Sequence, residues 1–324
     1  MPWDPRIRRR LKLRDLDTLM AVAQWGSMAK AATHLSVSQP AVSKAIADME
    51  HTLGVRLLDR LAQGIEPTLY GHALLKWAAA VFDDVRQGIN EIEFLGDSTA
   101  GEVRIGATEP MVAGLLPAVL DRLHRQYPRI AFHVTQIPAV LAQVRELRER
   151  DVDLTLGRLV RPLAEDMDAE ELFDEYVFVV AGANCPWTRR RRIELAELMN
   201  EPWAIPPRDT AIGSLIADAF RAQGLGIPRT TVTTVSFQLY FALLATGRYL
   251  AILPGSMLRF SGKRLGLKVL PVDFPTKPWP VAIVTLKKRT LSPVVHLFVD
   301  CVREVAKPLA NGSTSPASKG RRKF

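Results

Sequence analysis

The stretch MAKAATHLSVSQPAVSKAIA, from Met28 to Ala47, decides how the N-terminal part of this chain folds. It predicts two short helices joined by a tight turn at Ser36-Val37, because apolar residues recur at helical spacing on both sides of that turn. Ser38 is placed to cap the second helix, and Pro40 lies in its first turn, where a missing N–H costs nothing. The pattern is typical of a helix-turn-helix, although an ordinary amphipathic helix pair would show the same periodicity.

The outer face of the second helix carries side chains suited to reading DNA. The spacing leaves Gln39, Ser43 and Lys44 on that face. A glutamine binds an adenine edge through two hydrogen bonds, a lysine binds a guanine edge or a phosphate, and a serine binds either. Together with Ser38 and Pro40 at the start of the helix, these residues are the predicted DNA contacts.

Residues that end or cap helices lie on both sides of the motif and, with one further helix before it, predict a three-helix domain. A first helix is predicted over Asp15–Trp25, with Gly26 closing it and Ser27 capping the helix that follows. The second helix of the motif runs to about Leu53 and ends at Gly54. We therefore expect one small helical domain before residue 55.

A wing is predicted to follow this domain. Two short strands, Val55–Arg60 and Ile65–Glu66, lie on either side of a turn at Gln63-Gly64. A wing beside the helices would bring Arg60, and less directly Arg56, near a phosphate backbone. Pairing of these arginines with nearby carboxylates at the surface is the alternative.

A long helix is predicted from a cap at Thr68 to about Leu95. Its apolar residues alternate in steps of three and four, which makes a stripe narrower than the one a helix shows to a globular core. This spacing favours self-association, with packing against its own chain as the alternative. A symmetric dimer would place two reading helices on half-sites one helical turn apart. The predicted dimerisation residues are Leu75, Ala78, Phe82, Val85, Ile89 and Ile92.

Beyond a hinge-like linker at Gly96–Gly101, the pattern changes to alternating strands and helices. This order predicts an α/β architecture with a parallel sheet and two lobes. The predicted boundaries are 11–68 for the winged helix-turn-helix, 69–95 for the linker helix, 101–160 with 266–306 for the first lobe, 161–265 for the second lobe, and 307–324 for a disordered tail.

Composition narrows the class of protein. The 324 residues include 43 Lys+Arg against 34 Asp+Glu, a formal charge of +9 that favours anionic partners. A basic arm before Leu11 could add phosphate contacts or be a solvated end. No apolar run approaches the ~18 residues of a membrane span, and no apolar signal segment follows the arginine-rich start. We therefore expect a soluble cytoplasmic protein with no membrane partner.

Metal, redox and catalytic sites are not expected. Cys185 and Cys301 show no ligand spacing, which argues against zinc and against a disulfide framework. A redox sensor built on these two distant cysteines is a weak alternative. No nucleophile–base motif, phosphate loop or HExxH site occurs, so we predict neither an enzyme nor a bound cofactor. A purely architectural DNA-binding protein would not need the two lobes.

The segment LDTLMAVAQWGSMAKAATHLSVSQPAVSKAIADMEHTLGVRLLDR, followed by PTLYG, closely resembles the winged helix-turn-helix of LysR-type transcriptional regulators. The SQPAVSK block, the Leu-Gly turn and the T-x-x-G helix start recur in that order. The remainder is similar to the family's periplasmic-binding-protein-like effector domain. The resemblance implies promoter DNA, a small-molecule effector and a homodimer or homotetramer, with RNA polymerase as a further partner.

Within the family, the segments TLGRL and IPPRDT are most similar to the regulators of a galactose-binding protein. That similarity implies control of genes for sugar or organic-acid uptake or catabolism. Two departures are visible. The wing segment DRLAQGIEP is less basic and less aromatic than in many members, which weakens the expected phosphate contacts, and the arm before Leu11 has no family role.

The effector site follows from a rule for two-lobed α/β receptors, in which ligands bind between the lobes at the carboxyl ends of the strands. Hydroxyls and helix N-terminal N–H groups there suit anionic groups, and arginines suit a carboxylate or phosphate. Simple helix caps and surface ion pairs are the alternatives. We expect a small polar or acidic metabolite. The candidate residues are Thr108, Glu109, Gln136 and Arg158 in the first lobe, and Arg208, Thr210 and Ser236 in the second.

Overall fold

The three-dimensional structure is a computed structural model, and it describes residues 10–61, 64–138 and 140–311. These residues form two compact units that divide between Ile89 and Asn90, with Arg148–Arg150 assigned to the first unit. The basic arm up to Arg9, Gln63 of the predicted turn and the tail from residue 312 lie outside the described residues.

The first unit begins with three helices, α1 (Leu13–Trp25), α2 (Met28–His34) and α3 (Gln39–Leu53). Gly26 ends α1 and Gly54 ends α3, each in the left-handed conformation, with φ of 60° and 71°. Ser27 caps α2, since its hydroxyl oxygen accepts the Lys30 N–H at 3.5 Å. The predicted ends of these helices are confirmed, because the glycines supply positive φ at little cost.

The turn between α2 and α3 is closed by a residue other than glycine. Ser36 has a φ of 56°, a conformation that non-glycine residues seldom adopt. The two helices are held by a buried core whose small alanines permit close approach. Its fully or nearly buried members include Leu19, Val22, Ala31, Val42 and Ile46.

The wing is an antiparallel pair, β1 (Leu58–Leu61) and β2 (Gly64–Pro67). The first strand begins at Leu58 rather than at Val55, because the Glu50 carboxylate of α3 accepts the N–H of Leu57 at 2.8 Å and of Leu58 at 3.2 Å. The wing is therefore fastened directly to α3.

The linker helix α4 (Leu69–Gly96) follows the wing. The Thr68 hydroxyl accepts the Gly71 N–H at 3.1 Å and donates to the Arg56 carbonyl at 2.7 Å. This confirms Thr68 as the cap of α4, and the second bond ties the helix start to the chain leading into the wing.

The second unit contains two five-stranded sheets. Their strands are β3 (Ala100–Ala107), β4 (Arg129–Gln136), β5 (Leu154–Arg158), β6 (Met167–Glu175), β7 (Val177–Gly182), β8 (Trp203–Ile205), β9 (Thr230–Thr233), β10 (Leu250–Pro254), β11 (Leu267–Val269) and β12 (Trp279–Leu286). The first sheet has the strand order β4-β3-β5-β12-β6, and the second has the order β11-β7-β10-β8-β9.

Helices connect these strands as the alternating pattern predicts. They are α5 (Glu109–Ala113), α6 (Leu115–Gln126), α7 (Val140–Arg148), α8 (Ala211–Ala222), α9 (Phe237–Ala245) and α10 (Pro293–Asn311). Strands β3, β4 and β5 pair in parallel, as do β8, β9 and β10. Both sheets are mixed rather than purely parallel, because β12 and β7 run antiparallel to their neighbours.

The crossings between the lobes differ from the prediction. Strand β6 pairs with β12 in the first sheet, so the chain leaves the first lobe at Tyr176 and not near residue 160. Strand β11 pairs with β7 in the second sheet, so the return lies after Val269 and not near residue 265. Both boundaries are set by strand pairing between distant segments, which helix and strand periodicity does not encode.

The last helix also extends further than predicted. α10 continues to Asn311, although residues from 307 onward are predicted to be a disordered tail. Its inner face is apolar as far as Leu309, which is buried against the core of the second unit. Burial of that leucine explains why the helix persists beyond Ala306. Within the residues that the structure describes, no helix is both long and apolar enough to span a lipid bilayer.

Candidate functional site

The candidate DNA-reading surface is the first part of α3. Gln39 and Lys44 are exposed and Ser43 is half-buried. On the opposite side of the helix, Val42 and Ile46 are buried in the domain core. The apolar face therefore fixes the helix to the domain, while its polar side chains remain free to meet a groove edge.

The start of α3 lacks the side-chain capping hydrogen bond that its sequence predicts. Ser38 occupies the cap position, but its side chain makes no capping hydrogen bond. Ser38 and Pro40 are both exposed. The predicted cap position of Ser38 is therefore confirmed, but its hydroxyl makes no hydrogen bond to the first N–H groups of α3.

A groove beside α3 brings basic residues together. It has a volume of about 810 Å³, and Lys44 lines it together with Arg10, Lys12 and Arg14 from the beginning of the described chain. Acidic residues, Asp48 among them, line it as well. The end of the basic arm thus lies on the same surface as the reading helix.

The wing arginines are accessible. Arg56 and Arg60 are both exposed. Among the residues that the structure describes, neither forms an ion pair with Asp59 or Glu66, which the alternative interpretation of these arginines requires. Both guanidinium groups are therefore available to an external anion.

The apolar stripe on α4 is shifted from the predicted one. Ala78 is completely buried, so it is not open to a partner, contrary to prediction. Leu75 is half-buried and packs against the core of the first unit. Phe82 is half-buried. A helix that serves as part of a domain core turns one face inward, and the heptad pattern cannot tell that face from an intermolecular one. The exposed apolar face consists of Trp77, Val81, Val85, Ile89, Ile92 and Leu95.

The predicted residues of the first lobe lie at the carboxyl ends of β3, β4 and β5. Thr108 and Glu109 follow β3 at the start of α5, and Gln136 is exposed at the end of β4. Arg158 ends β5 with its guanidinium carbon 5.2 Å from the centre of the Trp279 ring. Burial lowers the pKa of Arg158, which shows a partly desolvated cation on this edge.

A buried amide that the sequence does not single out lies on the same edge. Gln143 of α7 is 4% exposed, and its Nε2 has no hydrogen-bond partner among the described residues. Nε2 lies 3.3 Å from the point where a β-carbon on Gly157 would stand, and the Thr108 hydroxyl lies 2.9 Å from it. A buried donor without an acceptor is uncommon, which makes this amide a candidate to bind an oxygen of an effector or of an ordered water. Sequence periodicity marks Gln143 only as one residue of an amphipathic helix.

The predicted hydroxyls of the second lobe serve as helix caps. Thr210 accepts the Gly213 N–H at 3.1 Å, and Ser236 accepts the Leu239 N–H at 3.3 Å. Arg208 is exposed beside them. The two lobes are joined at this point, because the Glu109 carboxylate accepts the N–H of Phe237, the first residue of α9, at 3.0 Å.

A second acidic residue lies where the chain crosses between the lobes. Glu175 ends β6, is 3% exposed, and accepts hydrogen bonds from the N–H (3.0 Å) and hydroxyl of Ser256. Burial raises the pKa of Glu175 to about 7, although these hydrogen bonds oppose the shift. In the sequence this residue is one of several acids in an exposed-looking strand, so no local signal distinguishes it.

The described residues offer neither a cluster of metal ligands nor a reactive thiol. They contain no group of three or more His, Cys, Asp or Glu that could hold a metal ion. Cys185 and Cys301 are both buried and unpaired, and burial raises the pKa of each thiol. A raised pKa lowers the thiolate fraction, which makes both cysteines poor nucleophiles.

Comparison with protein-family models covers almost the whole chain. Residues 13–72 match the model described as bacterial regulatory helix-turn-helix protein, lysR family. Residues 96–307 match the model described as LysR substrate binding domain. The two matches fall on the helix-turn-helix unit with its wing and on the two-lobed unit, respectively.

Curated relatives resemble the chain from end to end. The HTH-type transcriptional regulator YdcI of Escherichia coli is 29% identical over 91% of this chain and 96% of its own length. GbpR, an HTH-type transcriptional regulator of Azospirillum brasilense, is 28% identical over 92% of this chain and 87% of its own length. These relatives are regulators of transcription and not enzymes.

Solved structures share the fold. Full-length OxyR from Pseudomonas aeruginosa, in a variant form, covers 94% of this chain and 99% of its own with a TM-score of 0.66 at 22% identity. CbnR in complex with its target DNA covers 91% of this chain and 100% of its own with a TM-score of 0.62 at 22% identity. With a DNA-binding helix-turn-helix and an effector-binding domain that both match their models, the chain belongs to the LysR family of bacterial transcriptional regulators.

Proposed function

We propose that this regulator reads promoter DNA with Gln39, Ser43 and Lys44 of α3, and that a small molecule bound between its two lobes controls that activity. Ser38 and Pro40 contact the duplex at the helix start, and Arg60 contacts phosphate from the wing. The observation that carries the proposal is the division of α3 into a buried apolar face and an exposed polar first turn. Such a helix can enter a major groove without disturbing the core.

The experiment is binding of the full chain to the DNA just upstream of its gene, measured by fluorescence anisotropy against a scrambled duplex. Gln39→Ala removes the residue able to pair with adenine, so the preference for upstream DNA falls by about 1–3 kcal/mol. Lys44→Ala weakens both duplexes and lowers the slope of log affinity against log salt by about 1. Gln24→Ala and Lys76→Ala, exposed residues on α1 and α4, are the matched controls. Unchanged discrimination in Gln39→Ala would contradict the assigned role.

Assembly into a homodimer or homotetramer is assigned to the exposed apolar face of α4. Trp77, Ile92 and Leu95 are 68%, 70% and 79% exposed, and a contiguous apolar stripe of this kind marks an interaction surface. Ile89→Glu places a charge in the centre of that stripe. Sedimentation velocity is expected to show smaller species for this variant, whereas Lys76→Glu on the same helix leaves the assembly unchanged.

The effector is proposed to be a small polar or acidic metabolite. The unpartnered Gln143 amide, the Thr108 hydroxyl and the partly desolvated Arg158 supply donors and a positive charge on one edge of the first lobe. Calorimetry with a panel of sugars, organic acids and neutral apolar compounds tests this assignment. Tight binding confined to the apolar compounds would refute it.

The target genes are proposed to serve sugar or organic-acid uptake or catabolism. This rests on the similarity to GbpR and on the segments TLGRL and IPPRDT. Because the proposed target is chromosomal DNA, we assign the protein to the cytoplasm. RNA polymerase is proposed as a further partner. Transcript profiling of a deletion strain tests the target class, and unaltered uptake and catabolic transcripts would exclude it.

A further inference from the structure

The N-terminus of α9 is already occupied by a carboxylate from the opposite lobe. Glu109 lies at the beginning of α5, directly after β3 of the first sheet, and Phe237 begins α9 in the second lobe. The Glu109 Oε1 atom accepts the Phe237 N–H at 3.0 Å, across 128 positions of sequence. This bond therefore joins the two lobes at the carboxyl edge of the first sheet.

The position that Glu109 occupies is one that favours an anion. The first N–H groups of a helix have no intrahelical acceptor, and the helix dipole adds partial positive charge there. In α9 the Leu239 N–H is taken by Ser236 and the Phe237 N–H by Glu109. A ligand carboxylate directed at the Phe237 N–H would thus meet a donor that the protein has already satisfied.

The charge of Glu109 also acts on the next turn of α9. The pKa of the Tyr240 hydroxyl is raised, first by burial and then by the negative charge of Glu109. The Tyr240 hydroxyl donates to the Thr234 carbonyl, which fixes it near the helix start. The Glu109 carboxylate therefore interacts electrostatically with Tyr240 of α9, in addition to accepting the Phe237 N–H.

The far end of α5 contacts the second lobe through a neutral bond. The Ser261 hydroxyl donates to the Ala113 carbonyl at 2.8 Å. α5 consequently bridges the lobes at both of its ends, and only the Glu109 end can be exchanged for an external anion. Displacing that carboxylate would free one end of the bridge while the other stays bonded.

We propose that Glu109 is a resident anion at the N-terminus of α9 and that the acidic group of an effector competes with it for the Phe237 N–H. The inference rests on the proposed effector site between the lobes, and it adds a determinant of specificity. An acidic effector binds only where its contacts outweigh those of Glu109, and its binding releases α5 from α9. Weak or generic carboxylates are excluded by the same competition.

Hydrogen–deuterium exchange of the full chain tests the contact directly. In Glu109→Gln, which keeps the shape and loses the charge, and in Glu109→Ala, the peptide carrying the Phe237 amide is expected to exchange about tenfold faster than in the wild type, because charge-assisted hydrogen bonds are the stronger class. Glu165→Gln, which removes one carboxylate from an exposed loop, is the control and leaves that peptide unchanged. Equal exchange in the wild type and both Glu109 variants would overturn the inference.

Acetate, a minimal carboxylate, tests the competition. It is expected to restore protection of the Phe237 peptide in Glu109→Ala at concentrations that leave the wild type unaffected. Equal protection of both proteins, or protection of neither, would overturn the idea of a shared position.

Affinity for the upstream DNA is a separate measurement. If the Glu109 variants show the exchange effects but bind DNA as the wild type does, the resident anion is supported and the proposed coupling of cleft to DNA is refuted.

Discussion

Replacing Glu175 by glutamine should remove a specific pH dependence from the stability of the two-lobed unit. Glu175 is buried where β6 ends, and burial raises its pKa from 4.5 to about 7. Its oxygens accept the N–H and hydroxyl of Ser256, so the carboxyl has partners in either protonation state. Glutamine reproduces the shape and hydrogen-bonding capacity of the protonated acid and cannot ionise.

The magnitude follows from proton linkage. The folded protein holds the proton more tightly than the unfolded chain, so the favourable contribution is complete below pH 4.5 and is lost as the pH rises through about 7. Each pKa unit corresponds to about 1.4 kcal/mol, which gives a total loss of about 3 kcal/mol for the ionised carboxylate, most of it between pH 5 and pH 8. Glu175→Gln should therefore match the wild type within about 1 kcal/mol at pH 5 and exceed it by about 2–3 kcal/mol at pH 8.

Urea unfolding followed by tryptophan fluorescence measures this difference, since Trp203 is completely buried in the same unit. The informative quantity is the free energy of unfolding of Glu175→Gln minus that of the wild type at each pH, which cancels the titration of all other groups. Glu165→Gln, at an exposed position, should give a flat difference. Parallel pH profiles for the wild type and Glu175→Gln would show that burial does not hold this proton, and the reasoning would fail.

Three further outcomes follow from the packing. Asp153→Ala should destabilise the two-lobed unit by about 3–5 kcal/mol in urea unfolding, because it removes the carboxylate that contacts the fully buried Arg289 guanidinium at 2.7 Å. Asp121→Ala, at an exposed ion pair, should change stability by less than about 1 kcal/mol. Gly71→Ala should lower the thermal midpoint of the first unit, because the added β-carbon would lie 2.1 Å from the Leu57 carbonyl oxygen. Overpacking of this kind typically costs about 1–3 kcal/mol. In the control variant Gly96→Ala, on the same helix, the added β-carbon meets nothing within 4 Å and the substitution should be tolerated. Ellman's reagent should react slowly with the native protein, because Cys185 and Cys301 are buried and the pKa of each thiol is raised. After denaturation it should titrate two thiols per chain. Rapid labelling of the native protein would support a redox role.

The local features of the chain are determined by the sequence alone. Gly26 and Gly54 end helices because they adopt positive φ, and Ser27 and Thr68 cap helices because their hydroxyls reach the free N–H groups that follow. The reading helix is equally local, since the period of Val42, Ile46 and Met49 fixes which side is buried and leaves Gln39 and Lys44 outside. The capping contacts span four residues or fewer, so short-range patterns are sufficient to predict these helix ends.

Features that depend on contacts between distant segments were decided only by the tertiary structure. The crossing at Tyr176 depends on β6 pairing with β12, more than a hundred residues away, and the inner face of α4 depends on the core that Leu75 meets. The same holds for the contact of Glu109 with Phe237 and for the burial of Glu175 and Gln143. Periodicity reports which side of an element is apolar, but desolvation and pairing are properties of the neighbours that the fold supplies. For that reason the sequence identifies the candidate DNA-reading helix, whereas the chemistry of the candidate effector site emerges only once both lobes are assembled.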